Sequence, residues 1–556
     1  MDWKIKTALA LTLLAAAAIG GCFLAGYLTL TLLRVSLPLS WNTWLLYWQA
    51  IEHPQVAPYA WRIKLAGGIG FGAAIFGWLA FVVPMLRKPA RSLHGEARFA
   101  TVAEVAKAGL FNNRSDGIVV GKLAGRFIRL VGQQFALLAA PTRSGKGVSN
   151  VTPNLMLYGE SVVVLDIKQE NHAQTSGCRL AMGQDVYMFN PFAEDRRTHR
   201  WNPLSYVTDD KDFRISDVMS IGESLYPDTT PDNKFWVSQA RNAFVAFALY
   251  LFEKRDKERN DFAPIISTPT LGHVFRLSSG TGGDLKGTLR DLSRHDHLGS
   301  DARQAFANLT SQEGPTFSSI MGMFREPLNA FLNPVLDAAT SGDDFLLTDV
   351  RRKKMTVYVC VLPNKLAESR VILNLFFSQL IKVNTKEMPS KENGLKHQCL
   401  LLMDEFTSIG KIDILADSVA YIAGYNLRLL TIIQSLSQLD AVYGQDVARS
   451  FVTNHALQII FTPREQRDAN EYSEMLGHST VRTESLSRGR DVSKSYSDQR
   501  RALMLPQELK AMSPEKEIIM FEGIGRPVMC KKIRYYKDRK LKKLVRPPAE
   551  VPRMKL

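Results

Sequence analysis

The chain has 556 residues, several domains' worth at roughly 100–200 residues each, and carries 70 Lys/Arg against 54 Asp/Glu for a net charge of +16. Hydrophobic residues at 46% and charged residues at 22% are ordinary globular usage, which excludes wholesale disorder and a polytopic transporter. The five cysteines, Cys22, Cys178, Cys360, Cys399 and Cys530, form no C-x-x-C pair, so a disulfide scaffold and a zinc ribbon are excluded and most of the chain reads as reduced and cytosolic.

No charged residue occurs from Thr7 to Leu33, a run longer than the roughly 20 residues that cross a bilayer. A second uncharged run, Leu65 to Leu86, is rich in glycine (Gly67, Gly68, Gly70, Gly72, Gly77), as close-packed membrane helices are. Between them Trp41, Trp44 and Trp48 recur at helical spacing beside Tyr47, rings suited to the membrane–water interface. The pattern predicts a transmembrane helical hairpin. A cleaved signal would end its apolar core after about 7–15 residues. Ile19-Gly20-Gly21-Cys22 looks faintly like a lipoprotein cleavage site, but apolar residues continue past Cys22. Buried helices of a soluble core are the third reading. Lys4, Lys6, Arg87, Lys88 and Arg91 flank the runs, while Arg34, Arg62, Lys64 and Glu52 lie between them. That balance favours both ends inside only weakly. The nucleotide site below settles the expected orientation, with both termini cytoplasmic, because ATP is cytosolic.

The strongest local signal is the apolar strand Gln134–Ala140 running into Pro141-Thr142-Arg143-Ser144-Gly145-Lys146-Gly147. It matches most of the phosphate-loop template G-x-x-x-x-G-K-[ST]. Thr142, Arg143, Ser144, Gly145, Lys146, Gly147 and Val148 are the expected nucleotide-binding residues. Backbone N–H groups of such a loop wrap phosphate, and the following helix, expected over Val148–Leu157, adds positive potential. Lys146 is the point charge for the β- and γ-phosphates. Ala140 stands where the template has its first glycine, and Gly147 where it has the hydroxyl that ligates Mg²⁺. Ser149 lies about 200° around a helix from position 147 and is a poor substitute. A Gly-rich turn before an ordinary helix is the plainer reading of this stretch taken alone.

A second half of the site lies downstream. Cys399–Met403 is an apolar run ending in Asp404 and Glu405, as a buried parallel strand delivers acids to the ligand-binding end of its sheet. Asp404 is expected to hold Mg²⁺ through water, and Glu405 to orient or deprotonate the attacking water. Leu427–Gln434 is a third strand ending in Gln434, a candidate γ-phosphate sensor. Further strands are expected at Ser161–Ile167, Asp185–Asn190, Met355–Leu362, Leu457–Thr462 and Lys516–Glu522. Strands alternating with helices over this length predict a doubly wound α/β sheet. Asp166, Lys168 and Glu170 are expected near the site, though not as its main metal ligands.

From about residue 190 to 342 strand signals fade. Phe235, Trp236, Ala240, Phe244, Phe247 and Leu251 form an amphipathic helix face. Ala302–Leu328 carries another helical pattern broken near Gly314-Pro315. The expected organisation is a membrane hairpin with a short periplasmic loop (1–90) and a nucleotide domain in two parts (91–205 and 349–525). An all-α insertion (206–348) and a basic C-terminal tail (526–556) complete it.

The ordered set Ala140-Pro-Thr-Arg-Ser-Gly-Lys-Gly147, Leu165-Asp-Ile-Lys-Gln-Glu170, Leu402-Met-Asp-Glu-Phe406, Ile433-Gln-Ser-Leu-Ser-Gln-Leu439, Asn454 and Leu476-Gly-His-Ser-Thr480, behind a membrane hairpin, resembles type IV secretion coupling proteins of the conjugative TraG class. The resemblance covers nearly the whole chain. It implies a RecA-like ATPase motor at the bacterial inner membrane, in a ring of six with ATP between neighbours. Such a ring would receive single-stranded DNA bound to a relaxase and its relaxosome, or protein substrates, and pass them to a secretion channel. The helical insertion would help recognise cargo, and the hairpin would contact the channel. In that light Gly147 is a variant these proteins carry. A neighbouring subunit is expected to supply an arginine to the developing charge. Arg428 and, second, Arg464 are the candidates, each beside a predicted strand. The competing readings are a nucleotide-switched membrane scaffold with little hydrolysis, favoured by the missing hydroxyl at 147, and a chromosome-type DNA pump. Residues 526–556 hold twelve Lys/Arg against Asp538 and Glu550, so most of the net charge belongs to the tail. That tail is expected to bind DNA, anionic lipid or an acidic partner, or simply to be solvated.

Overall fold

The computed structural model describes residues 3–86, 93–228, 231–280, 283–488 and 492–556. It divides into two compact units, Met1–Leu93 and His94–Leu556. Among the flanking charges weighed above, Arg87, Lys88 and Arg91 lie outside the described residues.

The first unit is a pair of long helices, Trp3–Leu33 and Ala60–Leu86, joined through a short helix, Thr43–Gln49. Each long helix has a stretch long and apolar enough to cross a membrane, Thr7–Leu33 and Ala57–Met85. The second begins before the expected run because Arg62 and Lys64 are tolerated at its mouth. There Arg62 Nη1 donates to Leu32 O at 2.9 Å, across the hairpin. Gly70 lets the helices close: a Cβ there would stand 2.6 Å from the Ala25 backbone nitrogen. Trp44 Nε1 donates to Ile63 O at 3.0 Å, and its ring stacks on Trp48 at 5.0 Å. Trp41 precedes the short helix and is exposed.

The second unit is built on one eleven-stranded mixed sheet. Its strands in chain order are β1 (Ile118–Leu123), β2 (Arg126–Leu130), β3 (Ala136–Ala139), β4 (Ser161–Asp166), β5 (Asp185–Phe189), β6 (Met355–Cys360), β7 (Cys399–Met403), β8 (Leu427–Ile433) and β9 (Leu457–Ile460). A separate hairpin follows, β10 (His478–Arg488) with β11 (Val492–Ala502), before β12 (Lys516–Phe521) and β13 (Val528–Lys531) return to the main sheet. The order across the main sheet is β2-β1-β13-β12-β9-β3-β8-β7-β4-β6-β5. From β9 to β5 every pairing is parallel; from β9 outward to β2 every pairing is antiparallel. Strands β3, β4, β6, β7 and β8 are buried on both faces, which explains their unbroken apolar runs.

Between β5 and β6 every regular element among the described residues is helical, from Pro203–Tyr206 to Leu347–Arg351. The expected face of the longest of these, Lys234–Asn260, buries Ala240, Phe244 and Phe247, while Phe235 is half exposed. The break at Gly314-Pro315 separates helices Ser300–Thr310 and Gly314–Arg325. These helices do not have a core of their own. Phe244, Phe247 and Phe324 belong to the same buried cluster as Leu137 on β3 and Met403 on β7.

The basic C-terminal segment departs from expectation. It is not a solvated tail. Its first residues form β13, which lies between β12 and β1 inside the sheet. Ile533 and Leu541 are buried with Val119, Met156 and Cys178. Beyond them the chain runs along the helix Glu170–Ala181, where Ala549 N–H donates to Ser176 Oγ at 2.9 Å. It ends beside the 196–198 stretch, with Thr198 N–H on Pro552 O and Met554 N–H on Arg196 O. Most of the charges, Arg539 and Lys540 among them, are carried on the outside of an ordered return path, whereas Lys532 is buried. Burying Val528, Ile533 and Leu541 contributes roughly 1.5–3 kcal/mol each, comparable in sum with the net stability of a typical domain, about 5–15 kcal/mol. Truncation after Pro527 is therefore expected to abolish the folded second unit, read as loss of trypsin resistance. A truncated chain as resistant as the full one would contradict this placement.

Candidate functional site

Register places the site. Pairing aligns Ala139 on β3 with Ile433 on β8, and Met403 on β7 with Leu165 on β4. The next residues along, Ala140, Gln434, Asp404 and Asp166, therefore leave the sheet at one edge, its carboxyl edge, where open α/β sheets bind ligands. The exits are tight. Arg143, Gln169 and Glu405 follow β3, β4 and β7, and each sits in the left-handed region, at φ 57°, 58° and 55°. For non-glycine residues that conformation costs roughly 1–2 kcal/mol, so three strained turns converge on one edge.

The phosphate loop turns through Arg143 and Gly145 (φ 88°). Its helix starts at Gly147, one residue earlier than expected. The first turn, Gly147–Val151, has the wider π spacing, and Thr152–Leu157 continues it as α-helix. Ser149 Oγ donates to Gly145 O at 2.7 Å, so the nearest hydroxyl is spent on fixing the loop rather than facing outward.

The structure brings Lys146 against both acids. Its Nζ lies 3.5 Å from Asp404 Oδ1 and 3.3 Å from Glu405 Oε1, and Lys168 Nζ lies 3.4 Å from the same Glu405 oxygen. Burial pushes the Asp404 carboxyl above its ordinary value, with Lys146 opposing. Burial pushes on Glu405 too, but the Lys146 and Lys168 ammonium groups overcome it and hold that carboxyl below its usual range. The two carboxylates are about equally exposed, at 19% and 17% of the side chain, and differ in the direction of their shifts: the second lysine, Lys168, reaches Glu405. Asp404 Oδ1 is engaged only by the 3.5 Å ion pair with Lys146 and by no closer donor among the described residues, so it keeps acceptor capacity for a hydrated cation. No group of three or more His, Cys, Asp or Glu able to hold a metal occurs among the described residues. Asp166 is raised to about 6 by burial, against the His172 and Asn171 backbone, with Asp404 and Glu170 adding to the rise. It accepts from His172 N–H at 2.9 Å and so holds the start of the helix Glu170–Ala181.

Gln434 lines a cavity of about 460 Å³ together with Thr142, Ser435, Arg464 and Asp468. Arg464, which follows β9, is held by the phosphate loop of the same chain: Nη2 donates to Thr142 O at 3.0 Å.

Arg428 corrects the expectation of an arginine offered to a neighbour. It is fully buried and sits at the amino end of β8, opposite the edge that carries Lys146. Its guanidinium donates to Asp116 O at 2.7 Å, Leu130 O at 3.2 Å and twice to Gln134 O. The predicted strand Leu427–Gln434 already puts Arg428 at the end opposite Gln434, and the structure has it there. Two residues absent from the sequence-based set do reach the loop. Lys532 Nζ donates to Ser144 O at 3.4 Å, and Arg534 Nη1 fills the space that a Cβ on Gly145 would occupy. Only topology reveals them, because they lie far along the chain in a generic basic run. Arg428→Leu is expected to strand three buried carbonyls and cost on the order of 3 kcal/mol or more, read as a lower melting temperature. A variant with wild-type stability and a selective loss of turnover would restore Arg428 to the chemistry.

Three comparisons bear on this geometry. The family model for type IV secretory system conjugative DNA transfer matches residues 91–555. The VirD4 protein of Rhizobium radiobacter is 31% identical over 490 residues, covering 85% of this chain and 69% of that protein. The conjugal transfer protein TraG of Escherichia coli is 27% identical over 511 residues, covering 82% and 78%. Among solved structures, the plasmid coupling protein TrwB in complex with ADP and Mg²⁺ shares the fold, with a TM-score of 0.55 at 18% identity, over 81% of this chain and 96% of that one.

Proposed function

The chain belongs to the type IV secretory system conjugative DNA transfer family of coupling proteins, and from that premise we propose that it is an inner-membrane ATP hydrolase that drives DNA and protein substrates into a secretion channel. The observation that carries the reading is Lys146 facing Asp404 and Glu405 at the carboxyl edge of a parallel sheet. TrwB, of the same fold, is a protein that binds ADP with Mg²⁺ and a non-hydrolysable ATP analogue.

In this arrangement Lys146 is neutralised by its own two acids. Triphosphate entering the loop offers Lys146 a stronger anion, and the amides of Gly145, Lys146 and Gly147 supply further donors. Glu405, released from Lys146 and kept ionised by Lys168, is then the base that orients water for attack on the γ-phosphate. Gln434 leaves the neighbouring strand at the same edge and reports the γ-phosphate to the cavity it lines. Mg²⁺ bound with the nucleotide would neutralise phosphate charge there. Asp404 fits it as a single protein carboxylate acting through water, since Gly147 offers no hydroxyl and Mg²⁺ commonly keeps several waters.

The finer features rest on family membership. They are a ring of six with ATP between subunits, single-stranded DNA carried with relaxase and relaxosome proteins, and contact with the channel through the membrane hairpin. Both termini and the ATPase are proposed to be cytoplasmic, because the site needs cytosolic ATP. Arg428 is removed from the trans role, and Arg464 is engaged with its own Thr142, so the trans group is left unassigned. A scaffold that binds nucleotide and hydrolyses little is the second reading, favoured by Gly147 and by Ser149 being committed to Gly145 O.

Turnover of the full-length protein, with and without single-stranded DNA, separates the two readings. Lys146→Ala is expected to abolish hydrolysis. Glu405→Gln is expected to bind ATP and lose at least about 100-fold in turnover, the scale of a general base. Hydrolysis retained by Lys146→Ala would end the ATPase reading, and no hydrolysis by the wild type under either condition would favour the scaffold.

A further inference from the structure

Several arginines are buried around this sheet, Arg129, Arg179, Arg351 and Arg428 among them, with Arg534 partly buried beside them, and they differ in how well they are bonded. Arg428 is saturated by backbone carbonyls, as described above. Arg179 is equally enclosed: its Nε donates to Thr356 Oγ1 at 2.8 Å, and its Nη groups donate to the carbonyls of Leu155, Tyr158 and Glu160. Both are structural rivets. Arg534 is not. Its side chain is only 15% exposed, yet Nη2 makes one long hydrogen bond, 3.4 Å to Pro514 O, and a 3.5 Å ion pair with Glu515. Its Nε is buried and has no hydrogen-bond partner among the described residues. A guanidinium offers five donors, and leaving them unmet in a desolvated place is costly.

The position of that under-bonded guanidinium is specific. Nη1 lies against Gly145, within the loop whose amides cradle phosphate. The chain that carries it is anchored on both sides. Lys532, just before, is 6% exposed, rests over the Phe461 ring at 3.4 Å and reaches Ser144 O. Tyr535, just after, donates its N–H to Val148 O at 3.4 Å. Asp538 then caps the helix Arg539–Lys542 and pairs with Lys122 at 2.8 Å. Ser144 Oγ beside it is likewise buried without a partner among the described residues. Unmet donors on Ser144 and Arg534 thus gather at one stretch of loop, next to Lys146.

We propose that Arg534 is a second cation on the nucleotide's phosphate chain, delivered in cis by the C-terminal segment, with Lys532 behind it fixing the loop backbone. The inference rests on the reading that nucleotide binds at residues 142–148, and it deepens that reading. A planar guanidinium suits phosphate oxygens better than a point charge does. Its placement beside Gly145 assigns it to the diphosphate that ADP and ATP share. Arg534 is accordingly a binding residue for both nucleotides and not a sensor of the γ-phosphate.

The test measures binding of ADP, ATP and adenosine by full-length protein in nanodiscs, for wild type, Arg534→Gln, Arg534→Lys and the control Lys540→Gln, together with the melting temperature of each without nucleotide. Arg534→Gln is expected to weaken ADP and ATP alike by about tenfold or more, the scale of one charged hydrogen bond. Adenosine binding and the nucleotide-free melting temperature are expected to stay at wild-type values, and Arg534→Lys to recover part of the loss. ADP affinity unchanged in Arg534→Gln would overturn the inference and leave the nucleotide site standing. Equal loss for adenosine, or a lowered melting temperature that accounts for the loss, would overturn it in favour of a prop for the loop. Equal loss in exposed Lys540→Gln would reduce the effect to general charge. Failure of the wild type to bind ADP or ATP at all would overturn the parent reading and this one with it.

Discussion

A single buried ammonium group organises this molecule. Lys146 lies within 3.5 Å of two carboxylates that come from a strand two places away in the sheet. For that to happen β3, β8 and β7 must run parallel, with β7 ending at the level of Thr431, two residues before β8 and β3 end. The charges at that edge nearly balance: Lys146 and Lys168 face Asp404 and Glu405. Removing one acid would leave Lys146 paired with the other, whereas removing Lys146 would leave two neighbouring carboxylates beside Lys168 alone. The ion pairs therefore fix the loop against the end of β7; in the proposed function, phosphate would take over the role that Asp404 and Glu405 play toward Lys146.

The second constraint is that the loop is also gripped from the chain's far end. β13 inserts between β12 and β1, and the residues that follow lie on Ser144, Gly145 and Val148. From there the chain runs to the start of the helical region, beside residues 196–198. A continuous covalent path thus links the phosphate loop to the base of the helices that lie between β5 and β6. The surplus positive charge that dominates the composition resides largely on this path. Its buried members, Lys532 and Arg534, are held at the loop, whereas Arg539 and Lys540 are exposed.

What could be read from sequence divides along physical lines. The parallel strands were legible because both of their faces are buried, so apolar residues run without interruption, as in Ser161–Asp166 and Cys399–Met403. Lys146, Asp404 and Glu405 were legible because motif spacing ties each to the end of such a strand. β1 and β2 were not seen: Gly121, Lys122 and Arg126 interrupt their pattern, and their register is set by partners. The β10–β11 hairpin, with Ser, Thr and Arg on both faces, has no alternation to detect. Arg428 was misassigned although the predicted strand Leu427–Gln434 put it at the amino end; its burial against three backbone carbonyls is set by tertiary packing that no local pattern shows. Arg534 was hidden because nothing local distinguishes it from eleven other basic residues in the same run.

The most direct measurement is a structure of the full-length protein with Mg²⁺ and a non-hydrolysable ATP analogue, at a resolution that places side chains. The account expects the triphosphate inside residues 142–148, with Lys146 Nζ moved off Asp404 and Glu405 and bonded to β- and γ-phosphate oxygens. Phosphates bound elsewhere, or a Lys146 still paired with both acids beside a bound triphosphate, would contradict it.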